Sequence, residues 1–200
     1  MLHLRGVLAA FVCAAGLPAA TWQIDSAHSS AQFAVRHMMV STVRGAFSGV
    51  RGTAEFDPAD QGRAALDVTI DATTVNTREP KRDAHLKTAD FFDVEKHPTI
   101  TFRSKRVEAT GPGKLKITGE LTMRGVTKEV MLDVDGPTPE IKDPRGGGRM
   151  GAQATTKLNR KDFGINWNRA LDAGGAVVGD EVTVTIDVEL VRRPPATTSN

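Results

Sequence analysis

From Thr21 onward the chain is written in period two. Apolar and polar residues alternate in one segment after another, the pattern of strands with one buried and one solvated face. Ala31, Phe33, Val35 and His37 share a face opposite Ser30, Gln32 and Arg36. Leu66, Val68 and Ile70 alternate with Asp67, Thr69 and Asp71, and Ile100 and Phe102 with Thr99, Thr101 and Arg103. Leu115, Ile117, Leu121 and Met123 oppose Lys116, Thr118, Glu120 and Thr122, and Arg124-Gly125 turns the chain into Val130, Leu132 and Val134. Met150, Ala152 and Ala154 open a further strand, and Val182, Val184, Ile186, Val188 and Leu190 form the cleanest one. The run 44–56 carries Gly45, Gly49 and Gly52, residues that mark bulges or sharp bends within a strand. Eight or nine strands with short connections predict an all-β antiparallel fold. One apolar face per strand suits a sandwich or a barrel. Closure removes both edges and the glycines supply corners, which favours the barrel.

One stretch departs from this rhythm. Asn76–Phe102 crosses Pro80, places Leu86, Ala89 and Phe92 at helical spacing, sets Phe91 beside Phe92 and returns to a strand at His97-Pro98. It predicts a single helical insert near 79–92 with Pro80 in its first turn. Arg78, Lys81, Arg82 and Lys87 cluster near the helix start, where an anionic head group could be met. Glu79, Asp83 and Asp90 balance them, so a solvated charged face explains the same residues.

The remaining segments bound the domain. Residues 1–20 have a basic start, an apolar Val7–Ala15 and small residues at Ala19-Ala20, the layout of a secretory signal peptide, with an uncleaved anchor as the alternative. Pro18 makes a cut after Ala20 imperfect, and Val12 argues against lipidation at Cys13. The domain spans 21–191, and residues 192–200 read as a disordered tail. The stretch 136–148, rich in Pro and Gly, reads as a mobile loop and 162–175 as irregular. Cys13 is the sole cysteine, so a mature chain would offer no disulfide, thiolate nucleophile or thiolate metal site. A formal charge of +2 spread along the chain gives no clustered basic face for a nucleic acid.

Chemistry-bearing motifs are sparse. His28, His37, His85 and His97 form no zinc-type pair, and no nucleophile elbow or phosphate loop is present. Asp25 with His28 and Asp83 with His85 could form acid–base or ligand sets if the fold gathered them; polar groups near a barrel mouth account for them more simply. The inward faces mix large residues with small ones, Ala31, Ala152, Ala154 and Gly119. The small residues either fit the taper of a filled barrel or leave an apolar cavity suited to a long hydrocarbon.

Seven motifs in order carry a resemblance: Trp22–Ser29, Phe33–Met38, Arg44–Phe47, Arg82–Leu86 with Asp90–Asp93, His97–Ser104, Gly119–Lys128 and Arg160–Ile165. Over about Trp22 to Val191 the chain resembles the YceI-like family of bacterial lipocalin-like proteins that bind polyisoprenoid lipids. The resemblance implies an extended eight-stranded antiparallel lipocalin-like barrel with a helical insert, a non-catalytic role and a periplasmic location; no cofactor or metal is expected from the residues. It implies a polyisoprenoid ligand, of isoprenoid quinone or polyprenyl phosphate type, held for transport or storage. Tail contacts are then expected from Phe33, Val35, Leu66, Val68, Ile70, Phe102, Leu115, Ile117, Val184 and Ile186. Head contacts are expected from His37, Arg82, Asp83 and His85, with Phe91 and Phe92 in a lid or portal wall. A transient membrane contact and a homodimer at a Phe-lined mouth are compatible partners. The rival is an enzyme acting on the lipid head group with Asp83 and His85 as acid and base.

Overall fold

The structure, a computed structural model, describes residues 20–57, 60–144, 146–171 and 176–192. The first 19 residues of the expected signal segment and the tail from 193 lie outside the described residues. Among the described residues eleven strands form one antiparallel sheet: β1 (Ala20–Ile24), β2 (Ser30–His37), β3 (Ser41–Phe47), β4 (Val50–Phe56), β5 (Ala65–Asp71), β6 (Thr99–Gly111), β7 (Lys114–Met123), β8 (Val126–Asp135), β9 (Ile141–Lys142), β10 (Gly148–Asn159) and β11 (Val178–Arg192). The helix is α1 (Pro80–Lys87).

The sheet is closed. β11 pairs with β10 along its length, and on its other edge with β2 and then β1. β1 and β2 are one long strand bent at 25–29, and they pair with β4 and β3, a second long strand bent at Ser48-Gly49. Counting each bent strand once gives eight staves, with β9 a short addition beside β10. The run 44–56, read in sequence as a single strand, therefore divides at Gly49, whose φ is +70°.

Side chains alternate as the sequence predicts, with one informative shift. A bulge between Ser104 and Arg106 moves the inward row of β6 by one residue, so buried Val107 continues the face begun by Ile100 and Phe102. Two glycines act by close approach. A Cβ on Gly119 would lie 2.5 Å from Phe102 Cζ and from the Arg103 carbonyl, and one on Gly45 would lie 2.4 Å from Phe33 Cζ. Each glycine is the floor on which an aromatic ring rests. Gly119 thus seats Phe102 and does not by itself leave room, unlike the alanines grouped with it on sequence.

The insert is shorter in helix than the pattern suggests. α1 ends at Lys87, with Thr88 as its C-cap, and the rest folds back in turns: Phe92 N donates to the Leu86 carbonyl at 3.0 Å and Val94 N to that of Lys87 at 3.0 Å. Glu79 caps the helix by accepting from Lys81 N, with Pro80 at its start. Paired bonds between Ala46 and Asn76, each 2.9 Å, fasten the insert to β3.

The loop 136–148 is tied back to the barrel, contrary to a freely mobile reading: Thr138 N donates to the Gly151 carbonyl at 2.8 Å, and the Arg192 guanidinium pairs with Glu140 at 2.6 Å. Arg192 belongs to β11 and Ala20 to β1.

After β10 the irregular segment is organised by Arg160, which is 4% exposed. Its Nε donates to the Gly179 carbonyl (2.9 Å), Nη1 to those of Ile165 (2.7 Å) and Trp167 (2.9 Å), and Nη2 to that of Val178 (3.3 Å) and to Asp180 (3.2 Å). All five guanidinium donors are thereby used. Burial pushes the Arg160 pKa down, and Asp180 opposes that shift.

Two substitutions test these arguments. Alanine in place of a strand glycine ordinarily stabilises by about 0.5–1 kcal/mol. Gly119→Ala is expected to do the reverse, losing about 1–3 kcal/mol in urea unfolding because Phe102 must leave its floor. Arg160→Ala is expected to cost about 3 kcal/mol or more, and Arg160→Lys to recover little of it, since an ammonium cannot reach five acceptors.

Candidate functional site

Inside the closed wall lies a cavity of about 640 Å³. That is within the range of roughly 300–1,000 Å³ seen for small-molecule sites. Its middle is lined by inward rows: Leu66, Val68 and Ile70 of β5, Phe102 of β6, Leu115, Ile117 and Leu121 of β7, Leu132 and Val134 of β8, Ala152 and Ala154 of β10, and Val184, Ile186 and Val188 of β11. At one end it reaches Phe56, Ala64 and Pro137. At the other it reaches Arg36, His37, Glu79, Lys81, Arg82 and His85. The register fixes these as opposite ends, because β11 meets His37 through Val178 and Gln23 through Val191. The small alanines therefore border open space.

The insert end is a structured rim. Thr77, 5% exposed, holds the start of the insert. Asp83 Oδ1 accepts from Thr77 N at 2.7 Å and from the Thr77 hydroxyl, while Arg82 Nε donates to Thr77 Oγ1 at 2.8 Å. His85 Nε2 lies 2.8 Å from an Asp90 carboxylate oxygen. Its ring stands edge-on to Phe91 and to Trp167, both with centroids 5.0 Å away. Phe92 in turn meets Phe47 edge-on at 5.2 Å. Such aromatic pairs each contribute about 0.5–1.5 kcal/mol beyond area burial, so the ring cluster fastens the insert across the barrel end. Arg124, in the β7–β8 turn, adds a polar strap by donating to the Ala89 carbonyl (2.7 Å) and the Gly164 carbonyl (3.0 Å).

Fifteen of the sixteen residues singled out on sequence border this cavity: Phe33, Val35, His37, Leu66, Val68, Ile70, Arg82, His85, Phe91, Phe92, Phe102, Leu115, Ile117, Val184 and Ile186. Asp83 does not; its carboxylate serves Thr77. Asp83 and His85 form no hydrogen bond with each other, since His85 takes Asp90 instead. Trp167, Ile165 and Val177 also line the cavity and were missed. They lie in a stretch without period-two alternation, where only the apolar residues themselves could have signalled burial.

Among the described residues one group could gather metal ligands: Asp25, His28 and Glu189. The Arg149 guanidinium already sits against it, 3.2 Å from Asp25 and bonded to Glu189. The His28 hydrogen bond, the largest cause, holds the Asp25 carboxyl below the usual range, and Asp25 in turn raises His28. A resident cation leaves this a salt-bridged corner of the wall and no open metal centre. No helix among the described residues is long and apolar enough to cross a membrane.

Comparison with known proteins agrees with this architecture. A UPF0312 protein of Ectopseudomonas mendocina (strain ymp) is 36% identical over 197 residues, covering 95% of this chain and all of the relative (100%). The solved Campylobacter jejuni YCEI protein superposes with a TM-score of 0.67 at 32% identity, covering 80% of this chain and 90% of that one. A polyisoprenoid binding domain from Saccharophagus degradans, implicated in plant cell wall breakdown, shares the fold with a TM-score of 0.61 at 15% identity, covering 88% and 99%. The YceI-like domain model matches residues 22–190. With its closed eight-stave barrel and its bridging insert, the chain belongs to the YceI-like family.

Proposed function

We propose that this protein binds a polyisoprenoid lipid, with the tail in the barrel interior and the head group at the insert end. One observation carries the reading: a continuous apolar cavity of about 640 Å³ whose charged lining residues all lie near its two ends. Burying hydrocarbon there gains about 0.8 kcal/mol per methylene, whereas the middle of the cavity is mainly apolar and offers a charged group no partner. His37, Arg82 and His85 stand where the head would emerge, and the cationic Arg82 suits a phosphate or an oxygen-rich quinone ring. The Saccharophagus degradans domain of the same fold, named for polyisoprenoid binding, supports the class of tail.

The role is carriage or storage, not catalysis. The absence of an Asp83–His85 pair supports this, because the acid–base alternative needs both groups on one substrate atom, and Asp83 faces Thr77. The leader-like residues 1–20 support export to the periplasm.

Organic extraction of the purified protein followed by mass spectrometry is expected to release a polyisoprenoid; empty extracts from several expression hosts would overturn the proposal. Ala154→Phe places a ring in the cavity opposite Ile186 and is expected to abolish uptake while leaving the fold intact by circular dichroism. Phe91→Ser with Phe92→Ser removes the ring contacts of the insert and is expected to speed lipid release several-fold; an unchanged rate would make the insert a spacer.

A further inference from the structure

The turn joining β2 to β3 exposes three large apolar residues in a row. Met38, Met39 and Val40 are 43%, 64% and 80% exposed. Met38 and Met39 both have positive φ, +50° and +63°, a region that hairpin turns ordinarily give to Asn and Gly. The chain thus accepts backbone strain to present thioether side chains where polar residues would serve the turn better. The tip is held rigidly, since Met38 N donates to the Val177 carbonyl at 2.8 Å and Arg36 Nη2 to the Met39 carbonyl at 2.6 Å.

The surroundings of the tip indicate what covers it. Arg36, Lys81 and Arg82, which border the same end of the cavity, have no ion-pair partner among the described residues. Some cations of the barrel wall are paired, as in Arg103 with Asp67, Lys105 with Glu120 and Lys157 with Glu181, while Arg44, Arg51 and Lys128, like the three at this end, form no ion pair among the described residues. Glu79 is the carboxylate of this rim that borders the cavity; Asp83 and Asp90 of the same insert are engaged by Thr77 and His85. A short apolar projection at a barrel end that carries cations without carboxylate partners complements an anionic bilayer: the side chains enter the interface and the cations meet lipid phosphates. A second copy fits less well. Three side chains fall far short of the roughly 800 Å² per partner of a stable dimer, and a two-fold contact would oppose like charges.

We propose that the Met38–Val40 tip docks the barrel on an anionic membrane surface and presents the cavity mouth to the lipid layer. This rests on the lipid-binding reading for its purpose, but its test does not. The full chain is floated with phosphatidylcholine vesicles and with vesicles containing equal parts phosphatidylglycerol. Partition is expected on the anionic vesicles, falling with added salt. Met38→Ser, Met39→Ser and Val40→Ser together are expected to weaken it at least about tenfold, and Lys81→Glu about fivefold. The triple variant, whose three residues do not line the cavity, is expected to retain its extractable lipid. Equal partition of wild type and triple variant, as binding through residues 1–20 alone would give, overturns the proposal. So does a change in oligomeric mass on tip substitution without a change in partition. Empty extracts with intact tip-dependent partition would overturn the cargo reading and leave the docking surface standing.

Discussion

Closure by β11 is the constraint on which everything else depends. This strand of 15 residues is hydrogen-bonded on both edges, to β10 on one side and to β2 and then β1 on the other. The change of partner happens at the bend 25–29, and the sequence mends the ladder there. Asp25 N donates to the Glu189 carbonyl at 2.8 Å, and Glu189 N donates to the Ser29 hydroxyl at 3.0 Å. Arg149 then ties Asp25 to Glu189 on the outside. Asp25 and His28, which on sequence could be ligands or an acid–base pair, are explained by this repair. A ladder closed through β11 pairs most of the wall's backbone groups within the sheet, and that is what allows the interior to be mainly apolar.

The same logic separates the middle of the barrel from its ends. A charge placed midway along the cavity would lose its hydration and find no partner. Charged lining residues accordingly stay near the ends, and the buried one, Arg160, is tolerated because every donor has an acceptor. Arg160 looks like a ligand-binding cation if burial alone is considered. Its saturated bonding makes it a clamp between Ile165, Trp167 and Val178–Asp180 instead. Arg36, Lys81 and Arg82, which form no ion pair among the described residues, lie at the same barrel end as the exposed methionine tip.

Much of the candidate site was legible in the sequence because a strand's period is two. Once Phe33, Leu66, Phe102, Leu115 and Ile186 are assigned to one face each, closure brings those faces together whatever the detailed register. The helix length was less legible. Leu86, Ala89 and Phe92 keep helical spacing past Lys87, but Phe91 packs on Trp167 and Phe92 on Phe47, contacts distant in sequence. Trp167 and Ile165 escaped because aperiodic chain carries no signal of which side is inward.

The sequence by itself determined the antiparallel all-β class, the helical insert, the inward rows and, through seven ordered motifs, the family. Only the tertiary structure decided that the alanines border a cavity while Gly119 seats a ring, that Asp83 serves Thr77 and not a ligand, and that unpaired cations and an exposed Met38–Val40 tip share one end. The division has a physical cause. Alternation and propensity act between neighbours along the chain. Cavity space, donor saturation and the pairing of charges depend on which side chains closure brings within a few ångströms of one another.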